Sequence, residues 1–186
     1  MPKIIIILCL VLMGCLFALW DLNGRPEMVP VQDAALMAAP DVTLTDINGN
    51  TVALYDLKGK PVLLNIWATW CTPCIVEMPQ LLELSQRHKN DMVFIALSTD
   101  RDVATITKFF DRLPNDVRSF VNADNVIFAH DPRLEISKGA FGTDMYPETY
   151  IINADMEIVQ KIAGITDWLG DDVNALLFGT TEIADE

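Results

Sequence analysis

Two cysteines two residues apart, Cys71 and Cys74, follow a nearly unbroken apolar run over residues 62–67 and open a helix-forming stretch. That order constrains the chain more than any other feature. So apolar a run belongs to a central strand buried on both faces of a sheet. The order also suits reversible dithiol chemistry. A strand pins the backbone, a tight turn exposes the first sulfur, and the helix starts at or near the pair. Its unpaired N–H groups and positive dipole end favour a thiolate over a thiol. In such motifs the attacking thiol falls from ~8.5 to roughly 7 or below. Cys71 is therefore read as the exposed nucleophile and Cys74, one turn further in, as the resolving thiol.

Two other uses of the pair are weaker. A structural zinc site wants four ligands. The only other cysteines, Cys9 and Cys15, lie in an N-terminal apolar run, and His88 and His130 stand far off and unpaired. No metal is expected. A purely structural bridge would close a very short loop and constrain little. Redox use beside a βαβ pattern points to a thioredoxin-like fold, with no cofactor beyond the dithiol itself.

The rest of the chain fits that fold class. Residues 41–47 alternate and meet Asn48-Gly49, a hairpin signal, with 51–54 as the return strand. Residues 71–88 form a helix with Ile75, Met78, Leu81, Leu82 and Leu84 on its apolar side and Pro79 inside it, where a kink is expected. Strands are expected at 92–97 and 126–128, and helices at 102–113 and 132–141. Residues 116–125 are ambiguous. A second hairpin spans 148–162 and a last helix 167–178, closed by Gly179. Parallel strands with crossover helices, then a hairpin, give an α/β domain: a mixed sheet flanked by helices, with an N-terminal hairpin extension.

This domain is placed at residues 40–179, after a linker at 21–39 and before a polar, frayed tail at 180–186. Residues 4–20 are continuously apolar behind Lys3. They are at the short end for a membrane span, and Trp20 suits the interface. Three readings stay open: an uncleaved anchor, which we favour, a cleaved signal, or a lipoprotein attached through Cys15, since Leu12-Met13-Gly14-Cys15 resembles a lipoprotein box. All three put the domain outside the cytoplasm, on the periplasmic or equivalent side. The exported part would carry all 26 acidic residues and all but one of the 13 basic ones. That balance argues against nucleic acid as a partner.

The block Gly59-Lys60-Pro61-Val62-Leu63-Leu64-Asn65-Ile66-Trp67-Ala68-Thr69-Trp70-Cys71-Thr72-Pro73-Cys74 resembles the membrane-anchored TlpA/ResA/CcmG branch of thioredoxin-fold thiol:disulfide oxidoreductases. A second block, from Gly142 to Ile152, is similar to that branch's cis-proline loop, and its Pro147-Glu148-Thr149 is closest to the cytochrome c maturation members called CcmG or DsbE. The intervening dipeptide is Thr72-Pro73, whereas CcmG members often carry Pro-Thr.

The resemblance implies further roles. Pro147 would be a cis-proline, although an X-Pro bond is cis only about 5–6% of the time. It would expose the backbone of Tyr146 to an extended substrate strand. Trp70, Thr72 and Pro73 would join the docking surface. Glu77 lies three residues after Cys74, one helical turn along. As a partly buried carboxylate it would have a raised pKa and exchange protons with the thiols. As a solvent-facing one it would complement the helix N-terminus. The family places a functional acid at the matching position, which favours the first role. Asn65 stands where cytoplasmic thioredoxins carry a buried aspartate, and an amide takes no proton at neutral pH. Glu148 either adds negative charge near the dithiol or is an ordinary strand-edge residue.

By the same resemblance, the expected activity is reduction of disulfides in apocytochrome c or its assembly factors, with electrons from a membrane thiol reductase of the DsbD or CcdA type. A TlpA-like reductant of copper-site cysteines for oxidase assembly is the close rival. A thiol peroxidase is a more distant one. Such enzymes set their cysteine in Pro-x-x-x-Thr-x-x-Cys, whereas here Ala68 lies three residues before Cys71.

Overall fold

The computed structural model describes residues 36–179. The apolar segment 4–20, Cys15, most of the linker and the tail 180–186 lie outside the described residues. Eight strands run in chain order: β1 (Met37–Ala38), β2 (Thr43–Thr45), β3 (Thr51–Ala53), β4 (Val62–Trp67), β5 (Val93–Ser98), β6 (Val126–His130), β7 (Glu148–Ile152) and β8 (Glu157–Ala163). The helices are α1 (Thr72–Arg87), α2 (Val103–Phe110), the single turn α3 (Asn115–Arg118) and α4 (Asp171–Phe178).

Six strands form one sheet in the order β1-β8-β7-β4-β5-β6, and β2 pairs with β3 in a separate hairpin. β4 runs parallel to β5, and β5 to β6, while β7 lies antiparallel to β4 and to β8. The expected strand at 62–67 is β4 to the residue, and every one of its side chains is buried. β1 falls inside the stretch read as linker. It pairs with β8 at Met37↔Ile158 and Ala38↔Glu157. Next to it Ala39 is buried, its N–H donating to the Met156 carbonyl at 2.8 Å. The described sheet thus includes two residues of the stretch read as linker; a strand of two residues is too short for an alternating pattern to announce.

Side chains alternate across a strand, so the sheet has two cores. Leu63, Trp67, Phe94 and Ile151 pack with Met78, Leu81 and Leu82 of α1, Ile106 and Phe109 of α2, and Val173 and Leu177 of α4. Val62, Leu64, Ile66, Ile95 and Ile152 pack on the other face with Leu44 of β2, Leu54 and Phe141. Each fully buried aliphatic or aromatic side chain contributes roughly 1.5–3 kcal/mol. Asn65 belongs to the first face, the one α1 covers.

Three expected helices are shorter than their patterns, and of 102–113 only Val103–Phe110 is helical. The segment after β6 is helical only over Glu135–Ala140, as a π-type turn. It follows Leu134 in the left-handed region (φ 59°), and the Asp131 carboxylate accepts the N–H groups of Glu135, Ile136 and Ser137. The last helix starts at Asp171 with Gly170 as N-cap, not at 167. Trp168 and Leu169 therefore sit in the turn ahead of α4. Pro79 lies inside α1 without ending it, at the loss of one intrahelical hydrogen bond. The ambiguous stretch resolves into α3 and a 3₁₀ turn at Ser119–Asn122.

Candidate active site

β4 delivers the chain to the reactive turn. Its last carbonyl, Trp67, accepts the Thr99 N–H at 3.0 Å. The chain then turns, with the Cys71 N–H donating to the Ala68 carbonyl at 3.2 Å. Cys71 has extended backbone (φ −87°, ψ 103°) and is the N-cap of α1, so its sulfur occupies the place where a helix accepts a capping group. The Cys74 N–H donates to Cys71 Sγ at 3.3 Å. The two sulfurs are joined in a disulfide, with Cα atoms 5.3 Å apart. Cys71 is 6% exposed and Cys74 fully buried. Only the first residue of the pair reaches solvent, and only at its edge. Thr72 and Pro73 between them are exposed.

The turn is held from β5 by a residue the sequence did not single out. Asp100 is 3% exposed; its carboxylate accepts the Thr69 N–H at 2.9 Å, the Thr69 hydroxyl at 2.7 Å and the Ser98 hydroxyl at 2.8 Å. His130 Nε2 lies 2.7 Å from the Asp100 carbonyl. An acid directly after a buried strand is the available signal for Asp100, but its partner lies 31 residues upstream.

Glu77 is the buried acid. It is 1% exposed on the face of α1 that meets β4. Oε1 accepts from Asn65 Nδ2 at 2.9 Å and Oε2 from Trp168 Nε1 at 3.0 Å. Asn65 Nδ2 also donates to Thr149 Oγ1 at 2.9 Å. Burial pushes the Glu77 pKa above the usual carboxylate value, and the bonds from Trp168 and Asn65 offset that only in part. The solvent-facing alternative for Glu77 is thereby removed. Trp168 falls in the stretch 167–178 that reads as the last helix, where an apolar ring carries no sign of a hydrogen bond to a distant acid.

Pro147 follows a cis Tyr146-Pro147 bond. The register Ile66↔Glu148 sets this loop at the end of β4 that leads into the reactive turn. Trp70, 65% exposed, packs edge-on against Tyr146 with ring centroids 5.4 Å apart. The Pro147 carbonyl accepts the Gly164 N–H at 2.9 Å. Glu148 fits neither expectation. It alternates to the face away from α1, is 4% exposed, and pairs with Lys161 Nζ at 3.0 Å. Tyr150 also donates to it, at 3.3 Å. Its charge is spent there, so it is neither a dithiol neighbour nor an open strand-edge group. Among the described residues, no three His, Cys, Asp or Glu side chains gather as a metal site would require.

The Redoxin family model matches residues 34–177. The chain belongs to the Redoxin family. Within it, the thiol-disulfide oxidoreductase ResA of Bacillus thuringiensis (strain Al Hakam) is 38% identical over 130 residues, 68% of each chain. The thioredoxin-like protein YneN of Bacillus subtilis (strain 168) is 30% identical over 159 residues, 84% of this chain and 85% of that one. A crystallised Chlorobium tepidum protein described as a thiol:disulfide interchange protein, DsbE, superposes with a TM-score of 0.65, at 24% identity, over 77% of this chain and 98% of the other. This last likeness is one of fold. The Redoxin chain is a thioredoxin-fold thiol:disulfide oxidoreductase of the TlpA/ResA/CcmG type, an enzyme acting on protein disulfides.

Proposed function

We propose that this enzyme is a membrane-tethered, extracytoplasmic reductant that works through a Cys71 mixed disulfide in cytochrome c maturation. One observation carries the chemistry: the sulfur of Cys71, the only residue of the pair with any exposure, caps α1, Cys74 is fully buried behind it, and a buried carboxyl stands one turn on. In the reduced enzyme the Cys71 thiolate attacks one sulfur of a client disulfide. A new S–S bond forms and the client's other sulfur leaves as a thiolate. Cys74 then gives up its proton, with Glu77 as acceptor, and attacks Cys71 Sγ. The client's second sulfur departs, and the enzyme is left in the disulfide form seen here. Two electrons have passed to the client, whose sulfurs leave as thiolates; one takes the proton held on Glu77 and the other is protonated from water. A membrane thiol reductase of the DsbD or CcdA type would restore the dithiol.

The tether rests on the apolar segment 4–20, which would raise local concentration near membrane partners. The cytochrome assignment rests on the similarity of Pro147-Glu148-Thr149 to CcmG and DsbE members. The test is to express Cys74→Ala in the native host and identify what is held on Cys71. Haem-binding apoproteins support the cytochrome role. Copper-site proteins replace it with oxidase assembly, and no adduct at all overturns the mixed-disulfide mechanism.

A further inference from the structure

The neighbourhood of Glu77 contains an unmatched atom. Asn65 is completely buried, and its Nδ2 makes two hydrogen bonds, yet its Oδ1 has no partner. Buried amide oxygens are rarely left so. The other contacts of Glu77 narrow what that atom is for. Trp168 Nε1 can only donate, so Oε2 is kept as an acceptor whatever the protonation state. The carbonyl oxygen of a carboxylic acid accepts better than its hydroxyl, so a proton reaching Glu77 is best held at Oε1. There it would meet the N–H of Asn65, donor against donor.

A half-turn of the Asn65 amide removes the conflict. The terminal torsion of asparagine is broad and nearly two-fold. After rotation Oδ1 faces both Glu77 Oε1 and Thr149 Oγ1. The carboxylic acid donates to it, and so does the Thr149 hydroxyl, which serves in either role. The amide keeps two bonds in each state, and its unmatched atom changes from oxygen to nitrogen.

We propose that the Asn65 side-chain amide turns over with the protonation of Glu77, offering Nδ2 to the carboxylate and Oδ1 to the carboxylic acid. Asn65 is then a positioning residue that lets a buried acid load and release a proton without moving the helix that bears it. The inference rests on Glu77 serving as proton acceptor for the dithiol. Glu77 is bonded by Asn65 on β4 and by Trp168 ahead of α4, with Thr149 on β7 bonded to Asn65 behind them and Cys74 one turn back on the same helix. The Glu148–Lys161 pair lies across the sheet, so among the described residues no cation pairs with Glu77.

The test is side-chain NMR on the reduced full-length protein in detergent micelles, with ¹⁵N-asparagine and ¹³C-glutamate, from the ordinary carboxylate value of 4.5 upward in pH. The Glu77 Cδ and Asn65 Nδ2 resonances should shift with one midpoint. Proximity signals from the Asn65 Nδ2 hydrogens to the Thr149 side chain should be present above that midpoint and lost below it. In Glu77→Gln the Asn65 shift should vanish; if that variant does not fold, the wild-type proximity signals decide alone. Signals that persist while Glu77 titrates overturn the rotation, as does a Glu77 that does not titrate. Persisting signals leave the dithiol mechanism untouched, and a Glu77 that does not titrate removes only its role as proton acceptor; exchange through Cys71 fails separately if insulin reduction survives in Cys71→Ser.

Discussion

The carboxylate of Asp100, at the end of β5, holds Thr69 by both its backbone N–H and its hydroxyl, at 2.9 and 2.7 Å. Thr69 stands two residues before the nucleophile. The height and direction of Cys71 above the sheet are thus set from a neighbouring strand. Asp100→Ala leaves three buried donors unpaired, on Thr69 and Ser98. At about 1–3 kcal/mol for each buried group left unsatisfied, the oxidised protein should lose roughly 3 kcal/mol or more. Urea unfolding should show a lower midpoint at unchanged slope, and insulin reduction should slow in parallel. Thr69→Val removes only the hydroxyl and should cost about 1 kcal/mol.

The Glu77 carboxyl makes stability depend on pH with a definite sign. Burial raises its pKa in the folded state above the ordinary value of 4.5. The folded protein therefore holds this proton more tightly than the unfolded chain. The resulting stabilisation is complete below about 4.5 and is lost as pH rises through the folded value. Relative to Glu77→Gln, wild-type stability should fall with pH across that window, at up to about 1.4 kcal/mol per pH unit. Parallel pH–stability curves for the two proteins would remove the raised pKa.

Trp168→Phe keeps most of the ring packing but deletes the N–H that Glu77 Oε2 accepts. That bond stabilises the ionised form. Its loss should push the Glu77 pKa still higher and carry the pH-dependent fall in stability with it. A hydrogen bond to a charged group is worth about 1.5–3 kcal/mol, so the cost should be largest at alkaline pH. Urea unfolding of Trp168→Phe and wild type over a pH series rising from about 4.5 measures both effects.

Glu148 and Lys161 offer the opposite outcome. Their pair lies on the face away from α1, with Glu148 nearly enclosed and Lys161 half exposed. Lys161→Met should destabilise the domain by leaving a buried carboxylate without its cation. Glu148→Gln should leave the rate of insulin reduction close to wild type. A large loss of turnover in Glu148→Gln with unchanged stability would return this residue to the dithiol's surroundings.

What was legible in the sequence follows the range of the interactions. β4, α1 and β7 each have a local signature: a run of apolar residues, an amphipathic repeat, a β-favouring stretch after a proline. Cys71, Cys74 and Glu77 sit on one helical turn apiece, so spacing alone relates them. Asp100 and Trp168 act across 31 and 91 residues, and no local pattern ties either to the cysteines. Trp168 also mimics a helix-face residue, which hid its hydrogen bond behind its hydrophobicity. Glu148 was misplaced for a related reason. Adjacency to Pro147 suggested nearness to the sulfurs, whereas strand alternation sends its side chain to the opposite face.

The most direct measurement is the pH dependence of alkylation at each sulfur of the fully reduced protein, read by mass spectrometry. Cys71 should react first, with a midpoint clearly below the ~8.5 of a free thiol, while Cys74 stays largely unmodified. A Cys71 that titrates like free cysteine, or that reacts no faster than Cys74, contradicts a nucleophile activated by the start of α1.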